Sequence, residues 1–425
     1  MDPKKPMVVI VGGGFGGISA ARALKNVPVN VVLIDRTNHH IFQPLLYQVA
    51  TSSLAPGQIA VPIRGILGGN KNTTVVLGTV TGVRTEEKTV LVDTEDRSGV
   101  PLRYNYLILA TGVRESYFGH TEFRRHAPGL KTLADAVALR NKILLAFEMA
   151  EASDDPVRRQ ELMTFVLVGA GPTGVEMASA IAVLIENTLK DEFRRIDPRS
   201  ARIMLVDRGV RVLAAFAPEL SAAALRNLGK LGVEVMLEKG VDKIDECGVT
   251  IDGQYIATRT VIWTAGVAPS PAGEWLKAET DKAGRVKVRG DLTVPNLPEV
   301  FVIGDTASLE QDGKPLPGVA QVALQQGKYA AKSIAAMVER KPSQPSFRYF
   351  DKGNLAVAGK GFAVLQSGNV KMSGFVAWLV WALIHIQFLA TANLRLSVFV
   401  QWMWTFITNQ RGSRLIVKHR GVHEE

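Results

Sequence analysis

The chain has 425 residues, 47% hydrophobic and 21% charged, with a formal net charge of +10 and a mean hydropathy of +0.11. At roughly 150 residues per domain this length predicts two or three domains, and the basic balance points to nucleic acid, an anionic membrane or anionic substrates. The single cysteine, Cys247, excludes an intrachain disulfide and a C-x-x-C redox pair. It sits in the turn-like stretch DECGVTIDG and reads as inert. Residues 1–6 are polar and basic and lead straight into an apolar run, so no signal peptide is expected and a cytoplasmic chain fits.

Residues 8–35 read VVIVGGGFGGISAARALKNVPVNVVLID. A buried parallel strand leads into Gly12, Gly14 and Gly17 in the frame G-x-G-x-x-G, then a helix rich in small residues, then a second strand ending in Asp35. The glycines serve a tight turn, close approach of a pyrophosphate, and close packing of helix on strand. The helix N-terminus offers free N–H groups to phosphates. Asp35, 18 residues past Gly17, is placed to accept a ribose hydroxyl. Residues 39–58 (HHIFQPLLYQVATSSLAPGQ) have no clean period and fit either a segment wrapping a cofactor or an ordinary packed connection. Residues 74–83 and 89–93 alternate and predict an antiparallel hairpin. Residues 106–112 (YLILATG) predict a buried strand running into a small-residue turn beside which a cofactor can pass.

A helix is expected over 132–150 and a linker or loop over 153–159. Then the opening architecture repeats: a strand at 165–168, Gly169, Gly171 and Gly174, a long helix at 175–195, a strand at 202–206, and Asp207. Asp207 lies 33 residues past Gly174, so the helix and its following loop are extended. An acid here favours a free ribose hydroxyl, hence NAD over NADP, although Arg208 follows it. Strands are expected at 233–237, 249–251 and 260–263, and WTAGV at 263–267 echoes the first unit's small-residue turn. FVIGD at 301–305 is another buried strand; Asp305 either binds a flavin's hydroxyl-bearing chain or is a turn residue capping the next helix. AQVALQQGK at 320–328 opens a helix running to about residue 339.

The tail differs in character. Residues 372–394 carry no Lys, Arg, Asp or Glu, with an apolar heart of about 16 residues at 375–390, short of the roughly 20 a bilayer span needs. In the next segment Asn393, Ser397, Gln401 and Thr405 form a polar stripe, and Leu396, Phe399, Val400, Met403 and Ile407 fall on another face. Arg395, Arg411, Arg414, Lys418 and Arg420 flank it. Apolar face, tryptophans and basic flanks fit a helix lying in an anionic membrane surface; a dimer interface or a core hairpin fits the same pattern.

Two dinucleotide units suggest two dinucleotides, FAD on the first and NADH on the second, with the cofactor doing the chemistry and the protein positioning it. The helix opening at Ala320 offers its positive end to a reduced flavin. With one cysteine and no Fe–S or other metal-ligand spacing, the apolar tail points to a lipid electron acceptor, a quinone. Glu176 either stands between nicotinamide and flavin and handles protons, or simply stabilises a helix start. His385 is a candidate proton donor to a quinol, or packing. No recognised nucleic-acid motif appears, and no nucleic acid is expected as a partner.

At this point the chain resembles the type II NADH dehydrogenases (NADH:quinone oxidoreductases) over nearly all its length. The resemblance rests on VVIVGGGFGG, HHIFQPLLYQVAT, ILATG, VLVGAGPTGVE, WTAGV, FVIGD, AQVALQQG and the tail AWLVWALIHIQFL and QWMWTFITNQRGSRLI, in order. It implies an α/β fold with two Rossmann-like dinucleotide-binding domains and a C-terminal membrane-associating helical region. The expected boundaries are a discontinuous FAD domain (1–118 and 291–345), an NADH domain (119–290) and a membrane-anchoring domain (346–425). It also implies non-covalent FAD, NADH oxidation without proton pumping, either ubiquinone or menaquinone as acceptor, a homodimer, and peripheral attachment to the cytoplasmic face of the inner membrane. By motif match, FAD would be held by Gly12, Gly14, Phe15, Gly16, Gly17, Asp35, Arg36, Gln48, Ala110, Thr111, Gly112, Gly304, Asp305, Ala320, Gln321 and Val322. NADH would meet Gly169, Gly171, Pro172, Thr173, Gly174, Glu176, Asp207, Ala265 and Gly266. Gln321 and Gln325 would border the flavin where the quinone enters, and with Glu176 make up the catalytic set. One departure is Asp207, where the family commonly has Glu; the shorter chain is expected to loosen NADH or alter discrimination against NADPH. A sulfide:quinone oxidoreductase would need redox cysteines. The remaining alternatives are a membrane-associated NAD(H) sensor and a related FAD-dependent reductase with a protein acceptor.

Overall fold

The computed structural model describes residues 2–417, so Lys418 and Arg420 of the expected basic flank lie outside the described residues. The chain divides into two compact units, each assembled from three separate stretches. The first comprises Met1–Ile41, Val61–Arg114 and Val267–Lys352; the second comprises Phe42–Ala60, Glu115–Gly266 and Gly353–Glu425.

The first unit is built on a six-stranded sheet in the order Thr293–Val294, Leu297–Val302, Tyr106–Leu109, Met7–Val11, Asn30–Asp35, Thr73–Leu77. All neighbours are parallel except the first pair. Its strands are continuous apolar runs because both faces are covered: Val8, Ile10, Leu33, Ile108 and Phe301 pack on one side, and Val9, Val11, Ile34, Leu107 and Val302 on the other, all buried. On the first side the helices Phe15–Ala23 and Ala320–Val338 lie in backbone contact. A Cβ added at Gly327 would stand 2.3 Å from the Gly16 carbonyl oxygen, and Ser19 Oγ donates to the Leu324 carbonyl at 2.8 Å.

The second unit repeats the plan with four parallel strands in the order Val233–Met236, Arg202–Val206, Thr164–Val168, Thr260–Trp263. The helix Pro172–Leu184 follows its glycine turn. The C-terminal stretch adds an antiparallel sheet (Asn354–Val357, Ala363–Ser367, Val370–Gly374) and two helices, Phe375–Phe388 and Ala392–Thr408.

Three expectations are corrected. Residues 74–83 are two strands, not one: Thr73–Leu77 joins the parallel sheet and Thr79–Arg84 pairs antiparallel with Thr89–Asp93. The chain changes sheets at Gly78, whose N–H donates to the Asp35 carbonyl at 2.9 Å. The expected loop at 153–159 contains the start of a helix, Pro156–Leu162, because Asp155 caps it through Val157 N at 2.9 Å and Pro156 occupies the first helical position. The long helix expected at 175–195 stops at Leu184 and passes through a wider π turn, Ile185–Leu189. Asn187 and Thr188 there are weak helix formers, and Thr188 Oγ1 donates to the Asn409 carbonyl at 3.0 Å.

Candidate active site

The first glycine turn is a cradle by steric necessity. Gly12 has φ +104°, and a Cβ there would lie 2.3 Å from the Ala110 carbonyl oxygen; one at Gly17 would lie 1.8 Å from the Gly12 carbonyl oxygen. In front of Gly14 the space is open, with nothing within 4 Å of an added Cβ. Gly14 is the N-cap of its helix and no side chain caps it, so the first-turn N–H groups are offered outward. Asp35 fixes the turn as well as ending the strand: Oδ2 accepts from Gly13 N at 2.6 Å and Oδ1 from Thr37 N at 2.7 Å. His40, buried and held below the usual imidazole range by that burial, meets the Gly13 carbonyl at 3.0 Å and packs edge-on against Phe15. Arg36 is exposed.

The second turn is the same device. Gly169 has φ +108°, with an added Cβ 2.7 Å from Ala265 N, and Gly174 sits equally close, 1.8 Å, to the Gly169 carbonyl oxygen. Gly171 faces open space, Pro172 starts the helix, Thr173 follows it, and no side chain caps it. Asp207 Oδ2 accepts from Ala170 N and Oδ1 from Gly209 N, each at 2.6 Å. Arg208 lies against Gly240, its Nε 3.1 Å from where a Cβ would be. Gly266 is roofed by the Phe118 ring.

In the first unit Thr111 Oγ1 lies 2.5 Å from Ser270 Oγ and 3.1 Å from Thr306 Oγ1, and Thr306 donates to the Gly112 carbonyl at 3.0 Å. The turn at Gly304 and Asp305 is held by a residue not singled out from sequence: buried Gln326, whose Oε1 accepts from Gly304 N at 2.6 Å. The helix Ala320–Val338 begins without a side-chain cap, with Val322 buried and Ala320 and Gln321 half-buried near its start. Gln325 spends both ends of its amide on the backbone of Phe350, at 2.9 and 3.0 Å. Gln321 makes no side-chain hydrogen bond among the described residues.

In the second unit Glu176 is buried on the helix Pro172–Leu184. Among the described residues its side chain has one hydrogen bond, and that is weak, from Val357 N to Oε1 at 3.4 Å. Burial pushes its carboxyl up to about 8, with that bond pulling the other way. Close to it, on the helix Leu46–Ala50, Tyr47 and Gln48 are buried. Gln48 Nε2 donates to Tyr47 Oη at 3.1 Å, and Trp402 Nε1 donates to Gln48 Oε1 at 2.7 Å. Burial raises the Tyr47 hydroxyl well above the usual phenol range; the Glu176 charge raises it further, while the Gln48 bond and the Arg411 charge lower it. Tyr47, Gln48, Trp378, Trp381, Trp402 and Arg411 line a cavity of about 110 Å³.

A family model for the pyridine nucleotide-disulphide oxidoreductases matches residues 6–327. The type II NADH:quinone oxidoreductase Ndh of Mycobacterium tuberculosis is 43% identical over 97% of this chain and 91% of its own length. The type II NADH:quinone oxidoreductase of Haemophilus influenzae is 31% identical over 85% of this chain and 86% of its own. The chain belongs to the type II NADH:quinone oxidoreductases. Its fold matches that of Plasmodium falciparum NDH2 solved with NADH, at a TM-score of 0.88 and 20% identity, covering 98% of this chain and all of that one. FAD is typical of the family, and the first cradle fits it: the glycines leave the turn bare where a side chain at Gly12 or Gly17 would collide with backbone.

In this type II NADH:quinone oxidoreductase the helix Ala392–Thr408 turns Ser397, Gln401 and Thr405 of its polar stripe inward, while Asn393 is exposed. Ser397 Oγ accepts from Gln58 Nε2 at 3.0 Å, Gln401 donates to Thr405 at 3.2 Å, and Thr405 borders the cavity. Leu396, Phe399, Val400, Met403 and Ile407 are exposed, as are Phe375, Val376, Leu379 and Leu383 on the preceding helix. Among the described residues no helix is long and apolar enough to cross a membrane. The basic flank is corrected: Arg411 is only 4% exposed, donating to the Thr51 and Ala180 carbonyls at 2.7 and 3.4 Å. Arg414 pairs with Glu192, and Arg395 donates to the Leu389 carbonyl at 3.2 Å. His385 is packing: burial lowers it to about 4, Nδ1 meets the Trp381 carbonyl at 2.7 Å, and its ring lies 4.4 Å from that of Trp381.

Proposed function

We propose that this chain oxidises NADH and delivers two electrons and two protons to a membrane quinone, NADH + H⁺ + Q → NAD⁺ + QH₂. Bound FAD supplies the two-electron carrier between the two half-reactions. The observation that carries the reading is Glu176, a buried acid following a bare dinucleotide cradle, protonated at neutral pH and close to an aromatic cavity. The reaction takes up one proton from solution per turnover. Glu176 Oε1 accepts from Val357 N, so Oε2 is the atom free to hold and release that proton.

In the first unit Gly12, Gly14, Phe15, Gly16 and Gly17 would hold the FAD diphosphate against the helix N-terminus, and Asp35 a ribose hydroxyl. Ala110, Thr111, Gly112, Gly304 and Asp305 would line the rest of it, with Ala320, Gln321 and Val322 at the flavin end. In the second unit Gly169, Gly171, Pro172, Thr173 and Gly174 would receive the NADH diphosphate, with Ala265 and Gly266 beside it. Asp207 would accept from the ribose and repel a 2′-phosphate. Gln321 is the motif glutamine still free to meet a ligand, and we assign Gln325 to holding the 350 segment. Gln48, committed to Trp402 and Tyr47, would border the quinone cavity. The outward apolar face of both tail helices supports peripheral attachment to a membrane surface, and homodimer formation is carried by the resemblance alone.

The test is anaerobic. NADH should bleach the flavin absorbance of the purified protein, and a short-chain quinone should restore it. Bleaching without recovery would move the electrons to a protein acceptor. No bleaching of flavin-loaded protein would leave a sensor.

A further inference from the structure

The sequence places Arg411 among surface cations, yet it is buried, and among the described residues no carboxylate lies within ion-pair distance of it. Its hydrogen bonds use one nitrogen, Nη1, on the Thr51 and Ala180 carbonyls. A buried charge without a counter-charge is costly, and burial lowers this guanidinium to about 10, leaving it charged at neutral pH. It lines the same cavity as Trp378, Trp381 and Trp402. A second unpaired donor is present there: the indole N–H of Trp381, 2% exposed and without a hydrogen-bond partner among the described residues. Trp381 and Trp402 stack at 5.1 Å, giving the cavity a flat aromatic wall. The other cation lining the cavity, Lys360, is committed to the Phe406 carbonyl at 2.9 Å and to Asn409 Oδ1 at 2.6 Å, and Gln48 Oε1 is taken by Trp402.

We propose that Arg411 is the counter-charge of this cavity, a positioning residue that selects flat ring ligands bearing an anionic oxygen over neutral ones. The ligand class is the hydroxyquinone or quinol anion, its oxygen facing Arg411 and the Trp381 N–H and its ring against the tryptophans. This rests on the reading of the cavity as the quinone site, and goes beyond it in naming the charge the site prefers.

Binding is measured without NADH, so no turnover occurs. Two probes are titrated into FAD-loaded protein in detergent and followed by saturable quenching of tryptophan fluorescence: 2-hydroxy-1,4-naphthoquinone, an anion at neutral pH, and neutral 2-methyl-1,4-naphthoquinone. In the wild type the anion should bind about tenfold tighter, the scale of one charge-assisted hydrogen bond. Arg411→Met should bring the ratio near one, and Arg411→Lys should keep most of it. A purely structural Arg411 would weaken both probes alike and leave the ratio unchanged, which overturns the proposal. Equal binding of the two probes by the wild type overturns it while leaving the cavity as the quinone site. Saturable quenching by neither removes the cavity reading and the proposal together. If Arg411→Met fails to retain flavin, Arg411→Gln, which can still donate to the Thr51 carbonyl, is judged by the same ratio.

Discussion

Replacing Glu176 by Gln changes one thing that can be followed by pH. The carboxyl stands at about 8 in the folded chain against an ordinary value of 4.5. The folded state therefore holds this proton more tightly than the unfolded one, so the stabilisation is full at low pH and is lost as pH rises through about 8. At pH 5.5 the native acid is protonated and the unfolded one almost wholly ionised; at pH 8.5 both are largely ionised. The difference between those two pH values is about 3 kcal/mol, taking about 1.4 kcal/mol per tenfold. Glu176→Gln is uncharged throughout and keeps an oxygen for Val357 N, so it should not lose this stabilisation. Urea unfolding of FAD-loaded wild type and variant at the two pH values should show the variant gaining about 3 kcal/mol relative to wild type at the higher one. Parallel pH dependences would refute a buried, protonated Glu176.

Three further outcomes are expected from the geometry. Asp207→Ala should raise the KM for NADH on the order of tenfold and narrow the preference over NADPH, as steady-state kinetics with both nucleotides will read. Gln326→Leu should leave Gly304 N without its acceptor, at a cost of about 1–3 kcal/mol, and be seen as faster loss of FAD on dialysis while Gln326→Glu retains it better. Leu396→Glu with Val400→Glu, both at exposed positions, should reduce co-flotation with anionic liposomes by at least about tenfold and leave flavin content unchanged; undiminished flotation would remove this face from the membrane contact.

The glycine turns were legible in sequence because their function is steric and local: Gly12, Gly17, Gly169 and Gly174 are each needed within a few ångströms of the same strand–turn–helix or its sheet neighbour. What escaped depends on chain far away. The carboxyl of Glu176 is raised by burial, in a place where its hydrogen-bond partner Val357 lies 181 residues on. Arg411 reads as a surface cation in sequence; it is buried because Asn409, at φ +60°, reverses the chain at the end of the last helix and Thr188 ties that turn down. Gln326 sits beside Gln325 in the motif, and only the helix phase separates the one that holds Gly304 from the one that holds Phe350. The amphipathic pattern of 393–407 was readable as two faces. Which face points inward was not, since period alone carries no direction, and a polar stripe meeting Gln58 and the cavity wall settles it.

The two acids that end the second strand of each unit bear on the departure at Asp207. Each carboxylate does a structural job before any ribose arrives: Asp35 clamps Gly13 N and Thr37 N, and Asp207 clamps Ala170 N and Gly209 N, all at 2.6 to 2.7 Å. A side chain one methylene longer reaches further toward a ligand but has one more torsion to fix. On the reading proposed above, the two backbone bonds of Asp207 oppose the expected loosening of NADH. They tie the acid to the glycine turn, so that turn geometry and the proposed hydroxyl recognition would be one property of the same carboxylate. On the same reading, selectivity against a 2′-phosphate should survive the shortening, because it needs only a fixed negative charge at the strand end, and here that charge is held by two backbone amides.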